Sequence, residues 1–183
     1  MSGARQGVDL WQAIRRAGHS GAPGPEDAAP ALVGRFVTAV AAAAAQPLTP
    51  AEGRLWWLDR AAAGDPALIV NFGVTVDGPF DPDRLETAAW RMLLDQPSLW
   101  LRYPEGPSGP ERAPVAAMPS PLVALFDRGD GCTTEREIAS IVREQARTPF
   151  DLAAGPLFRL TAVRIGPERL LLQAHPLPTE RSV

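Results

Sequence analysis

LIVNFGVTVDGPFDPDRLETAAWRMLLDQPSLW, residues 68–100, changes its periodicity once, at Asp81. Before that point apolar residues alternate. Leu68, Val70, Phe72, Val74 and Val76 share one side, and Asn71, Thr75 and Asp77 the other, as in a half-buried strand over 68–78. After it the period becomes helical. Asp81 is an N-cap, Pro82 opens the first turn, and Leu85, Ala89, Met92 and Leu93 form an apolar stripe that Pro97 terminates, giving a helix over 82–96.

The same mixture continues downstream. Thr134 and Glu137 are spaced as a capping box, with Ile138, Ile141, Val142 and Gln145 on one side of the helix they start. Two strands follow near 157–165 and 169–175, joined by Ile165-Gly166-Pro167-Glu168. Strands and helices mix without a regular βαβ repeat, so the expected class is α+β, with helices packed on a largely antiparallel sheet.

Residues 1–46 differ in texture. VDLWQAIRRAG (8–18) places Val8, Trp11, Ile14 and Ala17 at helical spacing, a Gly/Pro stretch follows, and ALVGRFVTAVAAAAAQ (31–46) reads as a second helix ended by Pro47. These residues are expected to form an N-terminal extension of two short helices outside the core, with 47–183 as the domain. Ala17-Gly18-His19-Ser20 resembles a carrier-protein serine motif, but only 19 residues precede the serine, too few for the helix and loop such a domain needs.

Bulk composition excludes several functions. The 183 residues are 45% hydrophobic and 21% charged, as expected of one globular domain. The 18 basic residues are all arginine, scattered without a stripe, so no nucleic-acid partner is expected. Cys132 is the single cysteine, which excludes a disulfide framework and a cysteine-rich zinc site, and its Asp130–Thr133 context reads as a turn entering a helix. His19 has no metal-ligating neighbour at suitable spacing. No cofactor or metal is expected. No apolar run reaches ~18 residues, no signal peptide opens the chain, and the expected location is the cytoplasm.

Several segments resemble the condensation domains of nonribosomal peptide synthetases, in order and at matching intervals. PLTPAEGRLWWLD (47–59) is similar to the family's LSxAQxRLWFLD, GPFDPDRLETAAWRMLL (78–94) to GxLDxxALxxALxxLV, and TPFDLAAGPLFRL (148–160) to RPFDLxxGPLLRA. The last stretch falls where the active-site motif HHxxxDG belongs. The resemblance implies a chloramphenicol acetyltransferase-like sandwich, with these residues as the N-terminal lobe of two and the active site between lobes.

Two departures bear on activity. Within the active-site motif the first His is Ala174 and the second is His175, while the Asp is Thr179 and the Gly is Glu180. Where the family carries RHExxLRTxF, this chain has DQPSLWLRY (95–103), and the motif's arginine falls on Trp100. In the family that Arg and Asp form a buried ion pair shaping the His loop. Losing one alone would strand a buried charge at a cost of about 3–5 kcal/mol; losing both strands none. Motifs that serve packing, Arg54-Leu55-Trp56 and Pro149–Leu152, are retained.

His175 is therefore the candidate catalytic residue, read as a remnant base at a strand end. Because residue 183 falls just past the His motif, the chain is expected to be a truncated, non-catalytic relative. Its expected partners are synthetase components: an adenylation domain, a carrier protein or another condensation lobe. The competing expectation is an acyltransferase or amide-forming enzyme that uses His175, either in a homotrimer or with the second lobe supplied in trans. Trp100 is expected to fill the lost arginine's place, near Thr179 or the His175 loop.

Overall fold

A computed structural model describes residues 29–62, 65, 71–127, 134–166 and 169–176. Four helices are described: α1 (Ala29–Ala42), α2 (Pro50–Ala61), α3 (Pro82–Asp95) and α4 (Glu135–Arg147). The main sheet contains β2 (Phe72–Asp77), β6 (Val123–Phe126), β7 (Phe158–Gly166) and β8 (Arg169–Pro176), in the order β2-β8-β7-β6. Pairings β2–β8 and β8–β7 are antiparallel and β7–β6 is parallel. A smaller sheet pairs β1 (Gln46–Pro47), β3 (Leu101–Arg102) and β4 (Glu105–Gly106) with β5 (Gly109–Pro114).

Local chemistry starts the helices where the sequence places them. Asp81 Oδ1 accepts from the backbone N–H groups of Asp83 (3.0 Å) and Arg84 (3.3 Å). At α4, Glu137 N donates to Thr134 Oγ1 at 3.3 Å and Thr134 N to Glu137 Oε2 at 2.9 Å, closing the capping box. The same box, Thr49 with Glu52, opens α2.

Alternation along β7 sorts the helices onto two faces. Leu160 and Ala162 lie in a core cluster with Ala89, Trp90, Met92 and Leu93 of α3. Arg159, one position out of phase, bonds instead to the C-terminal carbonyls of α4. α1 and α3 thus cover one face and α4 lies on the other. Residues 158 and 160–163 of β7 are all buried, as expected of a strand covered on both sides.

Residues 29–42 are not outside the core. Leu32 and Phe36 of α1 are buried in that same cluster, and the Phe36 ring meets Trp90 and Trp100 edge-on, with centroids 5.4 and 5.8 Å apart. An alanine-rich composition conceals this, because only two large side chains, one turn apart, are fully buried, with Val33 and Val40 packed against the cluster beside them. The helix also ends at Ala42, short of Pro47, because the chain leaves it to pair Gln46 with Arg112 and Pro47 with Glu111. Residues 1–28 lie outside the described set, as do Leu68 and Val70 of the expected strand. Toward the end of the edge strand β2, Val76 is 46% exposed.

A second cluster joins Leu55 and Trp56 of α2 to Tyr103, Leu152 and Leu157, with Leu48 and Phe150 against it. The two retained motifs, 54–56 and 149–152, thus meet through their apolar members.

Candidate functional site

His175 is the penultimate residue of β8, where its backbone pairs with Arg159 of β7. Its side chain, Thr179 and Glu180 lie outside the described residues, as do His19 and Cys132. Among the described residues no group of three His, Cys, Asp or Glu side chains could hold a metal ion.

Opposite His175, Arg159 is fixed by the end of α4. Its Nη1 donates to the carbonyls of Gln145 (3.1 Å) and Thr148 (3.2 Å), and the guanidinium carbon stands 4.6 Å from the Phe150 ring centroid. Cationic groups are favoured at a helix C-terminus, where unpaired carbonyls carry the negative end of the dipole. Burial lowers the guanidinium's pKa. The final turn of α4 and the start of β7 are therefore held together by one side chain, directly across the ladder from His175.

Trp100 closes a 3-10 turn over Pro97–Trp100 and is 6% exposed. Its Nε1 donates to the Leu93 carbonyl at 3.1 Å, and its own carbonyl accepts from Val115 N at 2.9 Å. The indole has one donor, which Leu93 takes, and its edge contact with Phe36 fixes the ring. An ion pair cannot form at this position.

Two polar centres went unread in the sequence. Glu52 is 3% exposed and does more than cap α2: Thr49 N donates to Oε2 at 2.7 Å, Tyr103 Oη lies 3.5 Å from Oε1, and Arg112 Nη1 lies 3.9 Å from Oε1. Burial, then the Glu52 charge and hydrogen bond, push the Tyr103 phenol well above its ordinary value, with Arg112 opposing them. Glu86 of α3 accepts three donors: Trp90 Nε1 (3.0 Å) and Leu122 N (2.7 Å) on Oε1, and Val123 N (3.1 Å) on Oε2. It fixes the start of β6. The Thr49-x-x-Glu52 spacing was a visible signal for the first centre; the second joins residues far apart in the chain and left none.

The Pro149–Leu152 motif serves structure as expected. Asp151 Oδ1 accepts from Ala153 N (2.9 Å) and Ala154 N (3.0 Å), and the turn ends on Gly155 at φ +64°, a conformation suited to glycine. Arg102 spans this turn and the small sheet by donating to the carbonyls of Pro114 (3.0 Å) and Ala153 (3.1 Å).

Comparison with known proteins gives these features a context. No family model matches the chain. It is 27% identical over 161 residues to one of the linear gramicidin synthase proteins of Brevibacillus parabrevis, a match covering 86% of this chain and 2% of that protein. It is 28% identical over 138 residues to the dimodular nonribosomal peptide synthase of Bacillus subtilis strain 168, covering 70% and 5%. A third relative, phosphinothricin tripeptide synthetase PhsB of Streptomyces viridochromogenes, is 27% identical over 177 residues, covering 90% and 14%.

Among solved structures, the starter condensation domain of rhizomide synthetase RzmA superposes with a TM-score of 0.64 at 16% identity, over 74% of this chain and 32% of that one. The first condensation domain of the calcium-dependent antibiotic synthetase, in complex with a substrate analogue, gives 0.63 at 20% identity, over 74% and 34%. The chain thus spans a small part of these curated relatives and about a third of each solved domain. Its single α+β lobe has the chloramphenicol acetyltransferase-like fold of those condensation domains, and nonribosomal peptide synthetases are its sequence relatives.

Proposed function

We propose that this chain acts in nonribosomal peptide biosynthesis as a non-catalytic condensation-domain lobe, binding an adenylation domain, a carrier protein or another condensation lobe of a synthetase. Trp100 carries this reading. At the position that resembles the family's arginine, a buried indole has its only donor committed to Leu93 O. A general base must hold a free nitrogen within about 3 Å of the proton it removes, which requires a fixed loop. The pair that fixes that loop in the family cannot be made from Trp100 and Thr179. The folding motifs are kept, which suits a surface selected for binding.

The test is a product-forming assay with the cognate synthetase proteins, comparing the parent with His175→Ala. Product should be unchanged, while omission of the chain abolishes it. A loss of ~10²-fold or more in His175→Ala, with folding and partner binding intact, would establish His175 as a working base.

The alternative, an acyltransferase using His175, rests on the position of that residue at a strand end across from the anchored Arg159. It predicts either a homotrimer that carries the activity alone or a requirement for a second lobe in trans. Light scattering coupled to gel filtration separates the first of these from the scaffold.

A further inference from the structure

Arg159 is a half-buried cation that forms no ion pair with any described residue. Its neighbours are two carbonyl oxygens, both on Nη1, and the face of Phe150. Nε and Nη2 make no hydrogen bond to a described residue. Desolvated guanidinium groups are ordinarily matched by a carboxylate or phosphate in forked geometry.

The same side chain lines a cleft of about 330 Å³ between the starts of β6 and β7 and the turn after α4. The remaining walls are mainly apolar and stiff. The lining includes the aromatic residues Phe150 and Phe158, the rigid Pro121 and Pro156, and Met118, whose thioether suits aromatic contact. Asp151 also lines the cleft, with its Oδ1 taken by Ala153 N and Ala154 N, and burial lowers the Arg159 pKa from its ordinary value. A mainly apolar concavity with few charged groups, here Arg159 and Asp151, is the usual composition of a small-molecule site.

We propose that this cleft binds a small aryl carboxylate, with the carboxylate on the Nε–Nη2 edge of the Arg159 guanidinium, which bonds to no described residue, and the ring against the proline and phenylalanine residues of the lining. The cleft falls at the lower end of the ~300–1,000 Å³ range of small-molecule sites, which suits a small ligand. The site lies within one lobe and does not depend on whether His175 acts as a base.

The experiment is a calorimetric and NMR titration of the full chain with phenylacetate and with its neutral analogue 2-phenylethanol. A charge-assisted hydrogen bond should make phenylacetate bind about tenfold tighter or more. Arg159→Gln should equalise the two ligands, and Met118→Trp, which fills the cleft, should abolish both while the variant keeps the parent's circular dichroism spectrum. Equal affinities in the parent overturn the proposal, as does a preference surviving Arg159→Gln or binding surviving Met118→Trp. Should Arg159→Gln fail to fold, because the residue also caps α4, the parent's discrimination and Met118→Trp decide the matter alone.

Discussion

A few part-buried polar groups tie segments of this protein together through hydrogen bonds that must stay satisfied. Glu86 is the clearest case. Replacing it with alanine strands the Leu122 and Val123 amides and the Trp90 indole N–H, each a donor with a part-buried carboxylate as its partner. A loss of about 2–4 kcal/mol is expected in urea denaturation, since each abandoned buried donor costs roughly 1–3 kcal/mol and water recovers some of it. Glu86→Gln retains an acceptor oxygen and should cost less than half as much. Trp100→Arg tests the site directly. A guanidinium placed against Phe36 without a carboxylate is an uncompensated buried charge, so about 3–5 kcal/mol should be lost, read from the same titration. A variant as stable as the parent would mean that an anion does reach this position.

At the scale of elements, what could be read from sequence followed from how local the signal was. The starts of α3 and α4 were legible because Asp81 and the Thr134–Glu137 pair act within three residues of themselves. Leu85, Ala89, Met92 and Leu93 fall on the inner side of α3 as their spacing requires, with Leu85 packed against the cluster and the other three buried in it. β5 was not legible: Gly-Pro-Glu-Arg-Ala-Pro has two prolines and no apolar alternation, and it is a strand only because β1, β3 and β4 pair with it. β6 was missed because its parallel partner β7 lies a helix away in the chain. The attachment of α1 was missed because only two of its large side chains, Leu32 and Phe36, are buried in an otherwise alanine-rich helix. Phe36→Ala should therefore cost about 3–5 kcal/mol, the range for removing a buried aromatic, rather than the near-zero effect expected of a helix outside the core. Of the candidate site, the sequence located the strand end at His175 but not Arg159 across from it. A lone arginine in an apolar strand gives no hint that a helix terminus will be placed over it.

Over the whole molecule, the two clusters are held together by segments distant in sequence, and one junction carries a charge conflict. Asp59, near the end of α2, has its carboxyl pKa raised above the ordinary value of 3.8, first by burial, then by the negative charge of Asp151 in the turn after α4; Arg60 opposes both. A carboxylate with a raised pKa binds its proton more tightly in the folded chain than in the unfolded one. Folding is then favoured most when Asp59 is protonated, below its unfolded pKa, and this contribution is lost as the pH climbs through the raised value. At neutral pH the ionised group opposes folding. Asp59→Asn keeps the shape and removes the charge, so its melting temperature should exceed the parent's at pH 7, and the difference should shrink toward zero as the pH falls to about 3, below the unfolded pKa of an aspartate. Asp151→Asn relieves only the second cause and keeps an oxygen that can accept from Ala153 N and Ala154 N, so it should give a smaller gain than Asp59→Asn. Thermal unfolding of the parent and both variants across this range is the measurement. A gap between parent and Asp59→Asn that stayed constant with pH would mean that packing, not charge, separates them, and α2 would then be free of electrostatic strain against the turn at Asp151.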